Sequence, residues 1–125
     1  MPTIRALIVD DDPITRTVVS QCLAGDPDIE VVCCDSGDQA FARLNNGEKI
    51  DWLLLDWNMP GMSGHQFLCA LRADARFNRL RIMMLTCQSS LDDVKQALAA
   101  GADEYLMKPF TKEMLIAKLA LLALT

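Results

Sequence analysis

The stretch ALIVDDDP, Ala6 to Pro13, sets three consecutive carboxylates, Asp10, Asp11 and Asp12, between an apolar run and a proline. Ile4, Ala6, Leu7, Ile8 and Val9 show little polar alternation, the pattern of a strand buried on both faces. Proline cannot extend such a strand, but it suits the first turn of a helix. The acids therefore sit at a strand-to-helix turn. Like charges crowded there require either a solvated loop or a cation.

The rest of the chain repeats this alternation. Further strands are predicted at Ile29 to Cys34, Trp52 to Leu55, Ile82 to Leu85 and Glu104 to Met107. Five helices are expected between and after them. Ile14, Val18 and Cys22 share one face of the first, and Ala40 and Leu44 mark the second. Ser63 caps a third that buries Phe67, Leu68 and Leu71. In the fourth, Ser90 and Asp93 form a capping box, Leu91, Val94 and Leu98 form the stripe, and Gly101 stops the helix. Thr111 caps the fifth. Strict alternation with short connections means parallel strands and right-handed crossovers, an α/β fold.

Composition bounds what such a chain can be. At 125 residues it makes one domain with a core of its own. No segment approaches the roughly 20 apolar residues of a membrane span. The first apolar run is too short, and too soon followed by acids, for a signal peptide, so a cytoplasmic protein is expected. Five cysteines in apolar stretches, with no CxxC, are expected to be reduced and partly buried thiols without a metal or redox role. Twelve basic residues against seventeen acidic ones give a net charge of −5, and the basic residues are scattered. A nucleic-acid footprint is absent.

The polar residue closing each strand carries the chemistry. Asp10 to Asp12 follow the first strand, Asp56 the third, Thr86 the fourth and Lys108 the fifth. In an open parallel sheet the carboxyl edge is where ligands bind, at the point where strand order reverses. Several carboxylates facing one lysine repel one another unless a cation joins them. Oxygen-only ligation selects a hard divalent ion, most plausibly Mg²⁺. Asp56, alone at the end of a central strand, can act as an anionic nucleophile toward phosphorus. Lys108 and the Thr86 hydroxyl supply a charge and a donor for the phosphoryl oxygens.

VDDDP, LLLDWNMPGMSG, MMLT and YLMKPF, in this order and each after its own strand, resemble the receiver domain of bacterial two-component response regulators across essentially all of residues 1–125. The resemblance implies a flavodoxin-like, doubly wound five-stranded sheet of order 2-1-3-4-5 with five helices. It implies an acidic pair, Asp10 and Asp11, a phospho-acceptor, Asp56, and an Asn58 backbone carbonyl that together serve Mg²⁺. Thr86 and Lys108 match the hydroxyl and lysine of the family site, and Tyr105 matches the aromatic whose rotamer reports phosphorylation. A cis Lys108–Pro109 peptide is also implied. The implied reaction is transfer from the phosphohistidine of a histidine kinase or phosphotransfer protein to Asp56, followed by slow self-catalysed hydrolysis. The chain then either stands alone or is the receiver of a longer protein.

Plainer roles are assigned to neighbouring residues. Asp12 is expected to be a helix cap rather than a ligand. His65 reads as a solvated surface residue, and Trp57 and Asn58 as loop residues at the site rim. Cys87, larger than the small residue usual after the threonine, is expected to narrow the entrance. A phosphatase of the haloacid dehalogenase type also begins with a DxD after a strand, but it needs a second acidic pair beyond its lysine, and beyond Lys108 only Glu113 is acidic. A degenerate receiver acting as an unphosphorylated adaptor is the other alternative. On the fifth helix, Leu115, Leu119 and Leu122 should face the sheet, while Met114, Ala117, Leu121 and Leu124 form a second apolar stripe about 120° away. That stripe is expected to contact a target protein, an effector domain or a second copy.

Overall fold

The computed structural model describes residues 4–59, 61–87 and 91–123. In chain order the elements are β1 (Ile4–Val9), α1 (Pro13–Leu23), β2 (Ile29–Cys34), α2 (Gly37–Asn45), β3 (Trp52–Asp56), α3 (Gly64–Arg72), a single 3-10 turn (Ala75–Phe77), β4 (Arg81–Cys87), α4 (Leu91–Ala100), β5 (Glu104–Lys108) and α5 (Lys112–Ala123). The strands form one parallel sheet in the order β2-β1-β3-β4-β5, as expected.

Strand side chains alternate between two cores, one on each face. Leu7, Val9, Leu53, Leu55, Ile82 and Met84 meet Ala40 and Leu44 of α2, Phe67, Leu68 and Leu71 of α3, and Ala97 of α4. On the other face Ala6, Ile8, Leu54, Met83, Leu85 and Leu106 meet Val19 and Leu23 of α1 and Leu115, Leu119 and Leu122 of α5. Every side chain of β3 is buried, which explains the unbroken apolar run of the central strand.

The helix ends follow their local chemistry. Asp12 caps α1, its carboxylate accepting from the Ile14 N–H at 2.9 Å, and Pro13 occupies the first turn. Ser63 and Gln66 form a complete capping box on α3. Gly101 ends α4 with φ +113°, a left-handed conformation that favours glycine. Thr111 Oγ1 accepts from the Met114 N–H at 3.1 Å at the start of α5. The capping box expected from Ser90 and Asp93 lies outside the described residues.

Two helix faces differ from expectation. In α1 the buried residues are Thr15, Val19 and Leu23, while Ile14 is 70% exposed and Val18 is exposed. The inward position is open to Thr15 because its hydroxyl donates to Asp12 Oδ2 at 3.2 Å, so a nominally polar residue can be buried with its hydrogen bond made. In α4 the buried residues are Val94 and Ala97, and Leu91 and Leu98 face outward. Small Ala97 lets the helix lie close to the sheet. The cysteines also differ: Cys34 is buried and Cys22 half-buried, but Cys33, Cys69 and Cys87 are exposed, and all five are free.

A half-buried arginine ties the ends of several elements together. Arg72 donates to the Gly101 carbonyl at 2.9 Å, the Phe77 carbonyl at 3.0 Å and Asp103 Oδ2 at 2.9 Å. Asp103 Oδ2 also accepts from the Ile82 N–H at 2.9 Å. An alanine at Gly101 would bring its Cβ to 2.7 Å from Arg72 Cγ, so the glycine also makes room for this clamp.

Candidate functional site

β1 and β3 are adjacent although β2 lies between them in sequence, so the chain reverses its winding direction at this pair. Asp10 directly follows β1, and Asp56 closes β3. The ladders continue through the polar residues at this edge: Asp56 pairs with Leu85, Thr86 with Met107 and Cys87 with Lys108. Backbone pairing does not depend on side-chain polarity, so the strands run one to two residues past the apolar runs predicted from sequence.

The ladder brings three carboxylates together. Asp10 is fully buried, Asp56 is 7% exposed and Asp11 is exposed. One ligand oxygen from each lies within 4.8 Å of the others, a spacing that a single cation can span. Lys108 Nζ stands 2.7 Å from Asp10 Oδ2 and 3.4 Å from Asp56 Oδ1. Asp10 Oδ1 also accepts from the Asp12 N–H at 2.9 Å, and the Arg16 guanidinium donates to the Asp10 carbonyl at 2.7 Å. Asn58 is exposed, and its N–H donates to Asp56 Oδ1 at 3.3 Å.

These surroundings set the ionisation of the pair. Burial pushes Asp56 up to about 7, the neighbouring Asp10 charge adds to this, and Lys108 opposes it. Burial works against the charge on Lys108, but the hydrogen bond from Lys108 to Asp10 and the fields of Asp56 and Asp10 together hold its ammonium above the ordinary value. One cation facing three acids leaves the cluster with an excess of negative charge. Three carboxylates are hard oxygen donors, so the residues fit a hard divalent metal ion.

Thr86 is 1% exposed, and its Oγ1 has no hydrogen-bond partner among the described residues. A buried hydroxyl in this condition is costly unless something else meets it. Tyr105 is half-buried one strand over, and Lys118 Nζ lies 4.1 Å from its ring centre while also bonding Glu104 Oε1 at 2.9 Å. The Lys108–Pro109 peptide is cis, as expected.

Three neighbours were read differently from sequence. Trp57, expected at the rim, is 7% exposed and packs in the core on the α2 and α3 side. His65, expected to be solvated, is half-buried and stacks on Trp57. Gly64 attracted no attention, yet a Cβ there would collide with the Asp56 carbonyl and lie 2.8 Å from Trp57 Cα, so α3 can start against the end of β3 only with glycine. Its place beside the Ser63 cap was the available signal. Arg16 gave no signal, because its role needs the chain to fold back on Asp10.

Beside Lys108 a mainly apolar cleft of about 330 Å³ opens between Ile14 and Val18 of α1 and Pro109 and Phe110, with Asp12 and Lys108 also in its lining. A larger cleft of about 530 Å³ lies elsewhere, between Leu44, Ile50, Phe77 and Leu80, and holds none of the site residues. No helix among the described residues is long and apolar enough to cross a membrane.

Residues 6–120 match the family model of the response regulator receiver domain. The chain belongs to the response regulator receiver family. It is 36% identical to the chemotaxis protein CheY of Pseudomonas aeruginosa over 115 residues, covering 92% of each chain. It is 33% identical to the chemotaxis protein CheY1 of Helicobacter pylori, covering 92% of this chain and 93% of that one. Among solved structures, the chemotaxis response regulator CheY4 of Vibrio cholerae superposes with a TM-score of 0.86 at 32% identity, covering 96% of this chain and 98% of that one. The receiver domain of Francisella response regulator 1452 superposes with a TM-score of 0.83 at 26% identity, covering 95% of each. The protein is thus a phospho-acceptor signalling domain of the two-component type. Neither the phosphatase nor the adaptor reading gains support from these relatives.

Proposed function

We propose that Asp56 accepts a phosphoryl group from the phosphohistidine of a sensor histidine kinase or phosphotransfer protein, and that residues 1–125 act as one cytoplasmic receiver domain. The observation that carries this assignment is the buried Thr86 hydroxyl, without a partner among the described residues, at the same sheet edge as a buried carboxylate 3.4 Å from an ammonium. A tetrahedral anion entering at Asp56 would give that hydroxyl an acceptor and Lys108 a second oxyanion to neutralise.

An Asp56 carboxylate oxygen attacks phosphorus as the bond from phosphorus to the donor imidazole nitrogen breaks. The electron pair of that bond leaves with the nitrogen. Lys108 and Thr86 hold the equatorial oxygens of the moving group, and the Asp12 N–H and Lys108 keep Asp10 oriented. Asp10, Asp11, Asp56 and the Asn58 carbonyl would hold Mg²⁺, which when bound neutralises charge on the phosphoryl oxygens. Hydrolysis of the acyl phosphate by water returns Asp56, so the only reactions catalysed are the domain's own phosphorylation and dephosphorylation. The apolar cleft formed by Ile14, Val18 and Phe110 beside Lys108 supports a protein as donor.

Output is assigned to the face of α4, β5 and α5, with Thr86 and Tyr105 as the switch residues. Leu91 and Leu98 on α4 and Met114 and Leu121 on α5 are all exposed there, which favours a target protein or effector domain, or a second copy of the chain, as the reader. Direct binding of nucleic acid or membrane forms no part of the proposal.

Incubation with acetyl phosphate or beryllofluoride in Mg²⁺, with mass spectrometric localisation, tests the assignment. Modification at Asp56 in the wild type and none in Asp56→Asn is expected. A phosphoryl group located elsewhere would overturn it.

A further inference from the structure

Trp57 lies between Asp56 and Asn58, so the place it takes constrains both. Its backbone is held at each end: its N–H donates to the Leu85 carbonyl at 3.0 Å, and its carbonyl accepts from the Gly64 N–H at 3.0 Å. The indole is buried although Asn58 beside it is exposed. Against it lies the imidazole of His65, with ring centroids 4.9 Å apart and planes 24° from parallel. His65 is the second residue of α3, and α3 starts in direct contact with the end of β3 through Gly64. It is also the only histidine of the chain.

We propose that His65 is a positioning residue, whose ring holds the Trp57 indole against the core and so fixes the segment Asp56, Trp57 and Asn58 in the geometry that phosphoryl acceptance requires. The functional half of this inference rests on the assignment of Asp56 as acceptor. Stacking constrains ring orientation as well as position, which aliphatic contact does not. A flat side chain at residue 65 therefore specifies where the indole lies, whereas a merely bulky one only covers it. The short connection makes the effect local: an indole that rotates or swings outward pulls on the peptide linking it to Asp56 and on the Asn58 N–H that bonds Asp56 Oδ1.

The test uses the full chain labelled with 5-fluorotryptophan, the Trp57 resonance being assigned with Trp57→Phe, and compares wild type with His65→Phe, His65→Leu and His65→Ala. In metal-free buffer the Trp57 fluorine resonance should stay near its wild-type position in His65→Phe. In His65→Leu and His65→Ala it should move and show a larger solvent-isotope shift. The initial rate of Asp56 modification by acetyl phosphate in Mg²⁺ should fall about fivefold in the latter two, the scale a stacked ring pair supports. In His65→Phe it should stay within about twofold of wild type. Circular dichroism identifies any variant that does not fold, and the remaining variants then decide. An unmoved Trp57 resonance in His65→Ala, or His65→Leu matching His65→Phe in both readouts, overturns the proposal. Wild-type protein that is not modified at Asp56 would overturn the acceptor assignment instead, and the fluorine resonances would still decide whether His65 holds Trp57.

Discussion

Lys108 Nζ lies 2.7 Å from Asp10 Oδ2 and 3.4 Å from Asp56 Oδ1, so one ammonium bridges two buried carboxylates and is held more closely by the one that is sealed from water. Asp10 is thereby paired, and Asp56 keeps the looser contact. Of the two, the residue assigned as nucleophile is the less firmly engaged.

Replacing Lys108 by Met removes the ammonium paired with the Asp10 carboxylate and leaves that buried charge without its ion-pair partner. A loss of about 3 kcal/mol in urea unfolding at neutral pH is expected. The folded-state value of Lys108 lies above the ordinary 10.5, so the stability it contributes is full below that value and fades only as pH rises through the still higher folded value. A Lys108→Met variant as stable as wild type at pH 7 would contradict this account.

Asp56 shows the opposite dependence. Its folded-state value near 7 lies above the ordinary 3.8, so folding takes up a proton between these two values. Its contribution to stability is therefore greatest below the lower value and declines as pH rises to about 7. In EDTA, Asp56→Asn should remove that slope. At pH 8 it should be the more stable form by about 2 kcal/mol, after discounting for solvent screening at the open side of the site. Parallel stability curves for variant and wild type between pH 4 and about 8 would refute the prediction.

Asp11 is the exposed member of the acidic cluster, so its removal should disturb packing least while costing a ligand. Asp11→Asn should weaken Mg²⁺ binding at least about tenfold, some 1.4 kcal/mol, with little change in unfolding. Titration of Mg²⁺ followed by Trp57 fluorescence measures it, and an unchanged midpoint would remove Asp11 from the ligand set.

Leu121 is 51% exposed on the face assigned to output, on the same side of α5 as exposed Met114. Leu121→Glu should leave circular dichroism and Asp56 modification intact while abolishing phosphorylation-dependent association, read by light scattering or pull-down. Unaltered association would return the stripe to an ordinary alanine- and leucine-rich helix face.

Arg72→Met removes three hydrogen bonds at once, those to the Gly101 and Phe77 carbonyls and to Asp103. A destabilisation of about 3 kcal/mol is expected, with no effect on Mg²⁺ affinity, because the clamp lies outside the acidic site. A shifted Mg²⁺ midpoint would show that the two regions are coupled.

Strand identity and the residues of the acidic edge were legible in the chain itself, and strand order through its resemblance to receiver domains. Apolar runs of strand length ending in Asp10, Asp56, Thr86 and Lys108 name the same edge that the sheet assembles. Asp12 was correctly read as a cap because its task is local, a bond to the N–H two residues on. Local chemistry misled where a partner from elsewhere decides burial. Thr15 counts as polar until Asp12 takes its hydroxyl, and this moves the buried face of α1 away from Ile14.

Sequence alone thus determined the parallel α/β architecture and the chemical content of its carboxyl edge, because both follow from periodicity and from residue types at strand ends. Tertiary structure decided distances and charge states: that Lys108 bridges Asp10 and Asp56, that Asp56 is pushed up to about 7, and that Thr86 Oγ1 has no partner among the described residues. It also decided that His65 stacks on Trp57 rather than facing water. The reason is physical. Desolvation and pairing depend on atoms brought together from β1, β3, β4 and β5 and from the start of α3, and no local pattern records how closely those elements approach.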